Sequence, residues 1–362
     1  MATYEMKEAK PAPKNLSGPI RWIKENLLAT PLDIILTVLG IAVLLMIIPP
    51  FVQWAIIDAN FVGTTREACT DGGACWVFIK EKITLFIYGF YPESEYWRIN
   101  LSFVLFFVFG ALFKFYGQSF ITKIAVFAGY PVLVYFLVSG GYFGLEAVST
   151  DKWGGLTLTL IVAAVGIVAA FPIGIVLAFG RQSELPIIRN LSVIYIEFIR
   201  GVPLITILFM ASVILPLFFP EGMTFDKLLR ALIGITLFQA AYIAEVIRGG
   251  LQAIPKGQYE AADSLGLSYW QKMLLVILPQ ALKVSIPNLV GASISLFKDT
   301  TLVLIIGLFD LLAMVHLTGS DAAWLGYETE GYVFVTFIFW IFCYSLSKYS
   351  NILEQRYNTD HR

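Results

Sequence analysis

Four consecutive residues, Lys298-Asp299-Thr300-Thr301, interrupt a long apolar run, and Gln239 lies in the middle of another. An ionisable side chain within hydrocarbon costs about 3 kcal/mol on insertion scales, so it faces a cavity or a partner. Two readings of the stretch stay open: it lines a polar pathway, or it is an ion-paired helix break that touches no solute. Adjacent helical residues do not face one another, so a direct Lys298–Asp299 pair requires the break. Gln239 hydrogen-bonds either a neighbouring helix or the polar groups of a solute. Glu245 with Arg248, and Glu197 with Arg200, stand at i and i+3, where opposite charges meet along one helix face. Both pairs are read as structural.

Covalent and acid–base chemistry has no candidate set. An intramembrane enzyme needs His, Cys or paired carboxylates gathered at one depth. The chain has two His, His316 at a span edge and His361 in the C-terminal tail, and Cys343 stands alone in an apolar run. No catalytic residue and no metal site is expected. The sequence also lacks a G-x-x-x-x-G-K-[ST] phosphate loop. Cys69 and Cys75 bracket the Gly-rich turn CTDGGAC. They stay as thiols, or close a disulfide where that loop faces an oxidising compartment.

The elements that must position these residues are membrane spans. The chain has 362 residues, 58% hydrophobic and 14% charged, against roughly 25% charged in soluble domains. Its net charge of −1 leaves no basic excess for a nucleic-acid partner. Apolar runs lie near 33–57, 99–113, 124–143, 156–179, 203–219, 228–247, 285–312 and 331–349. Each is long enough to cross about 30 Å of hydrocarbon. The expectation is an all-α, polytopic integral membrane protein of about eight transmembrane helices in a lipid bilayer, the first a retained span.

Basic residues choose the side. With the termini inside, 17 Lys and Arg fall on the cytoplasmic side and 7 outside, with Lys298 in a span. Both termini are therefore expected in the cytoplasm, and the Cys69/Cys75 turn outside, which favours the disulfide. The outer stretch 58–98 holds a mixed amphipathic piece, Trp76 to Tyr91, read as lying along the outer interface. A composition shift near residue 150 separates Phe- and Tyr-rich scaffold spans from a half interrupted by Gly and Pro, as transport pathways are.

The cytoplasmic loop 248–284 is the most informative stretch. Pro255 and Gly257 break the preceding helix, QYEAADSL (258–265) forms a short one, and Gly266 suits the left-handed residue after a helix end. Its apolar side, Tyr259, Ala262 and Leu265 with Ala261 beside it, fits a groove on another protein or a lipid interface equally well.

Glu260-Ala261-Ala262, three residues, Gly266, nine residues, Val276, one residue, Leu278-Pro279 resembles the EAA loop of ABC-importer permeases, with Val276 where Ile is usual. YIAEVIRGGL (242–251), FIRGVPL (198–204) and LFKDTTLV (296–303) resemble the binding-protein-dependent polar amino acid permeases. The extra N-terminal spans resemble the long AapM/BztC-like subunit of general or acidic/amide amino acid importers. The resemblance implies a type I ABC-importer-like core of five helices (150–350) after three extra helices (33–149). Cytoplasmic tails at 1–32 and 351–362 flank them. It makes Gln258, Tyr259, Glu260, Ala261, Ala262, Leu265 and Gly266 the coupling helix to a cytoplasmic ATPase dimer, which binds the ATP and Mg. The other implied partners are a second homologous permease or a second copy, a periplasmic amino acid-binding protein and an amino acid substrate. Gln239, Lys298, Asp299, Thr300 and Thr301 are the candidate substrate path, in a bacterial inner membrane.

Overall fold

Within hydrocarbon every backbone N–H and C=O must find its partner inside its own segment, and a helix achieves this. The computed structural model describes residues 18–69, 72–117, 119–220 and 225–357. Among them the only non-helical pairing is a few isolated β-bridges. Contacts divide the chain into two units, 1–77 and 78–362.

In the first unit, α1 (Pro19–Asn26) leads into α2 (Pro31–Val52), a membrane span. Thr30 and Asp33 form a capping box that starts α2: the Thr30 hydroxyl accepts from Asp33 N and the Asp33 carboxylate accepts from Thr30 N. Beyond the span, Ala74 N donates to Trp54 O (2.8 Å), Asn60 N to Ala74 O (2.8 Å) and Trp76 Nε1 to Ala55 O (2.7 Å). Cys69 and Cys75 are joined as a disulfide, with Cα atoms 5.5 Å apart.

The second unit begins within α3 (Trp76–Tyr88). The apolar side of this helix packs against the chain itself. Phe78 and Phe86 are fully buried, Phe78 against Trp324 and Phe86 stacked on Phe334, and Lys82 pairs with Asp321 at 2.8 Å. The next two spans are α4 (Tyr96–Tyr116) and α5 (Ile121–Ser139). They share a core with the half that follows residue 150: Tyr91, Ile99 and Val138 sit in one buried cluster with Trp153, Leu158, Ile235 and Leu296.

The remaining elements are α6 (Gly155–Arg181), α7 (Pro186–Gly201), α8 (Leu204–Phe218), α9 (Lys227–Ala253), α10 (Lys256–Ser264), α11 (Tyr269–Ile306), α12 (Leu311–Gly319) and α13 (Glu328–Tyr357). The pair α6 and α9 forms the centre. A Cβ on Gly174 would come within 2.5 Å of the Ile243 side chain, so only glycine admits this approach.

Among the described residues seven single helices are long and apolar enough to span, and α7 with α8 makes an eighth only as a pair bent by 104°. The bend falls at Gly201-Val202-Pro203, where proline forces the extended backbone seen at Val202. The span expected at 285–312 is displaced. Helix α11 starts at Tyr269, capped by Ser268, inside the segment expected as loop. It ends before Gly307, whose φ of +74° stops it, and Asp310 then caps a separate helix, α12.

Candidate functional site

Helices α9 and α11 enclose a cavity of about 320 Å³ lined by Phe238, Gln239, Tyr242, Ala292, Ser295, Lys298 and Asp299. The spacings 238/239/242 and 292/295/298/299 each put their residues on one helix face. Gln239 is buried, and its Nε2 donates to the Ala292 carbonyl at 3.1 Å. Both readings of Gln239 thus meet at one residue, since it ties two helices and lines the cavity. Lys298 is exposed and Asp299 half-buried, and neither has an ion-pair partner within 4 Å among the described residues.

The 298–301 stretch divides by function. Thr300 is buried with its hydroxyl donating to Phe297 O (2.8 Å), and the Thr301 hydroxyl donates to Lys298 O (3.0 Å). At this point the helix tightens from α to 3₁₀, and the two hydroxyls satisfy carbonyls there instead of reaching the cavity. Phe238, Tyr242, Ala292 and Ser295 were missed by sequence reading. Steps of three residues lead from Gln239 to Tyr242 and from Lys298 to Ser295 and on to Ala292, and Phe238 stands four residues before Tyr242; that spacing was the signal that could have found them.

Below the cavity lies a cluster of three arginines and two glutamates. Glu245 receives Arg248 through two bonds (2.9 and 3.0 Å), Arg181 at 3.0 Å and Arg200 at 3.2 Å. The expected Glu245–Arg248 pair is present. The expected Glu197–Arg200 pair is replaced: Glu197 takes Arg181 at 2.7 Å, and Arg200 also lies 5.8 Å over the Tyr242 ring.

Helix α10 ends in a Schellman motif, with Leu267 N donating to Ala262 O (3.3 Å), Gly266 N to Asp263 O (2.9 Å), and Gly266 at φ +72°. Its expected apolar side is split. Ala262 is buried, and the Tyr259 hydroxyl donates to Leu251 O (3.2 Å), its pKa raised by burial. Gln258 accepts from Gln280 at 3.1 Å. The outward side presents Glu260, Ala261, Gly266 and Leu265, the last 78% exposed, with Trp270 beyond the turn. Tyr259 and Ala262 hold the helix to this chain, while Gln258 and the other four are exposed.

Among the described residues no group of three His, Cys, Asp or Glu is placed to hold a metal ion; His361 lies outside them.

Residues 170–359 match the family described as binding-protein-dependent transport system inner membrane component. The chain is 55% identical to the inner membrane amino-acid ABC transporter permease protein YhdY of Escherichia coli (strain K12), over 97% of this chain and 96% of that protein. It is 39% identical to the glutamate/glutamine/aspartate/asparagine transport system permease protein BztC of Rhodobacter capsulatus, over 99% of this chain and 98% of that one. A crystal structure of an amino acid ABC transporter with histidines superposes with a TM-score of 0.50 at 30% identity, covering 56% of this chain and 92% of that one.

Proposed function

Because the chain belongs to the family of binding-protein-dependent transport system inner membrane components, as an amino-acid ABC transporter permease subunit, we propose that it carries polar L-amino acids inward along a path built with a second permease subunit or a second copy. A periplasmic binding protein delivers the solute to the outer mouth. The ATP and Mg belong to a cytoplasmic ATPase dimer, whose groove receives the outward side of α10. Both termini face the cytoplasm.

The observation that carries this reading is the pairing of two features on helices that share one core. One is a cavity lined by an amide, an ammonium and a carboxylate together with Phe238, Tyr242 and Ala292. The other is a short, capped helix held by Tyr259 and Ala262, with Glu260 and Leu265 outward. A free amino acid carries an α-ammonium and an α-carboxylate, and the unpaired Asp299 and Lys298 complement these. The amide of Gln239 adds a neutral hydrogen-bonding group.

Purification of the chain with its ATPase, and uptake assays in proteoliposomes, test the proposal. Uptake of polar amino acids that needs ATP and the loaded binding protein is expected. Uptake by this chain alone, driven by an ion gradient, would replace the proposal with single-chain secondary transport.

A further inference from the structure

We infer that Arg200 is the latch that closes the cytoplasmic end of the cavity, holding Tyr242 across it while itself held by Glu245. This rests on the transport reading above.

Along α9, Gln239, Tyr242, Glu245 and Arg248 follow one another at intervals of three residues, each about 4.5 Å further along the axis. Gln239 and Tyr242 line the cavity; Glu245 and Arg248 belong to the ion cluster. Tyr242 is thus the last cavity residue on the side toward Ala253. Arg200 joins the two sets, its guanidinium 5.8 Å over the Tyr242 ring and its Nη1 3.2 Å from Glu245 Oε2. A cation over an aromatic face is attracted to the ring, and most strongly where water is scarce.

The three arginines around Glu245 are not equivalent. Arg248 shares a helix with Glu245, so their pair survives any motion of α9 as a body. Arg181 ends α6, which packs closely along α9. Arg200 alone comes from α7, immediately before the Gly201-Val202-Pro203 bend into α8. Movement of α7 at that bend separates Arg200 from both Tyr242 and Glu245, and it also parts Glu197 from Arg181 and the Tyr195 hydroxyl from Leu237 O, while Arg181 and Arg248 stay on Glu245. The cluster tolerates this, because Glu245 keeps two guanidinium partners when Arg200 leaves.

The test uses the full complex in inside-out membrane vesicles, with Ser295→Cys as reporter in the cavity and Cys343→Ser to remove the other free thiol. A membrane-impermeant maleimide is added from the cytoplasmic face without nucleotide. Arg200→Ala should raise the labelling rate about tenfold, the mark of a shifted closed–open equilibrium. Tyr242→Ala should do the same, and the two together should add nothing. Tyr242→Phe, which keeps the ring, should label as slowly as the parent, and Tyr242→Leu, which keeps much of the volume without the ring, as fast as Tyr242→Ala, a pair of outcomes that packing alone does not give. If Arg200→Ala fails to assemble with its partners, Arg200→Gln, which keeps the length without the charge, takes its place in the same assay. Unchanged labelling in Tyr242→Ala, or equal labelling in Tyr242→Ala and Tyr242→Phe, overturns the latch. Protection of the reporter by polar L-amino acids is scored separately. Its absence together with fast labelling in Arg200→Ala would remove the substrate assignment and leave the latch standing.

Discussion

The side-chain amide of Gln239 donates to the Ala292 carbonyl at 3.1 Å, joining the two helices that wall the polar cavity. Its replacement therefore changes a wall and a lining at once. Loss of one hydrogen bond of this kind is worth about 1 kcal/mol.

Gln239→Leu and Lys298→Ala should leave insertion and assembly intact and raise the apparent KM for uptake, on the order of tenfold for Lys298→Ala, where a charge-assisted contact is lost. The order of preference among amino acids should change as well. Thr301→Val, whose hydroxyl binds Lys298 O, should leave that preference alone. Competition uptake in proteoliposomes measures both. An unaltered substrate profile in Gln239→Leu and Lys298→Ala would remove these residues from the path.

Coupling should fail separately from binding. Gly266→Pro forces φ near −65° where the chain has +72° and removes the N–H that donates to Asp263 O. Glu260→Lys reverses an exposed charge on the outward side of α10. Both variants should insert and retain the partner permease, yet lose uptake together with ATP hydrolysis stimulated by the loaded binding protein. Full stimulated hydrolysis in both would return α10 to an interfacial helix.

Sidedness and the disulfide are checked by thiol chemistry. In a cysteine-free background, Lys152→Cys should react with an impermeant reagent added to intact cells and Lys256→Cys should not. In the parent chain, mass spectrometry without reduction should find one peptide pair linked through Cys69 and Cys75. Such a short closed loop contributes about 2 kcal/mol, so Cys75→Ser should lower thermal stability by that order with transport kept. Rapid labelling at position 256 would invert the topology. Two freely alkylated thiols would remove the bond.

Asp310 supplies a pH dependence outside the spans. Its carboxylate caps α12 by accepting from Ala313 N (3.0 Å), but burial dominates and raises its pKa to about 6. The folded value lies above the unfolded one, about 3.9. The stability it contributes is therefore complete below about pH 4 and lost as pH rises through about 6, an amount on the order of 3 kcal/mol. Asp310→Asn keeps an accepting oxygen without the charge, so its thermal stability should vary less between pH 4 and 7. Thermal unfolding in detergent across that range measures it, and an unchanged pH slope would show that another group carries the effect.

Much of this protein is written locally. Hydrocarbon admits few charges, so eight apolar runs read as spans, with seven found as single helices and the eighth as a bent pair among the described residues. Pro255 and Gly266 bracket α10 through backbone rules that act over a few residues. The cost of charge in an apolar run also singled out Lys298, Asp299 and Gln239 before any cavity was in view. What the sequence could not supply was each side chain's neighbour. Thr300 and Thr301 share the polarity of Lys298 and Asp299, yet the α to 3₁₀ step turns their hydroxyls onto backbone carbonyls. Helix α3 has the composition of an interfacial helix, but Trp324 and Phe334, more than two hundred residues away, bury its aromatic side. Arg200 stands three residues from Glu197 and bonds Glu245 instead, because α7 crosses α9 at that level and brings Glu245, with Tyr242 beside it, within reach. Periodicity within one helix sets which residues share a face. Which face meets which is settled by packing between segments distant in sequence, and that information exists only in the tertiary structure.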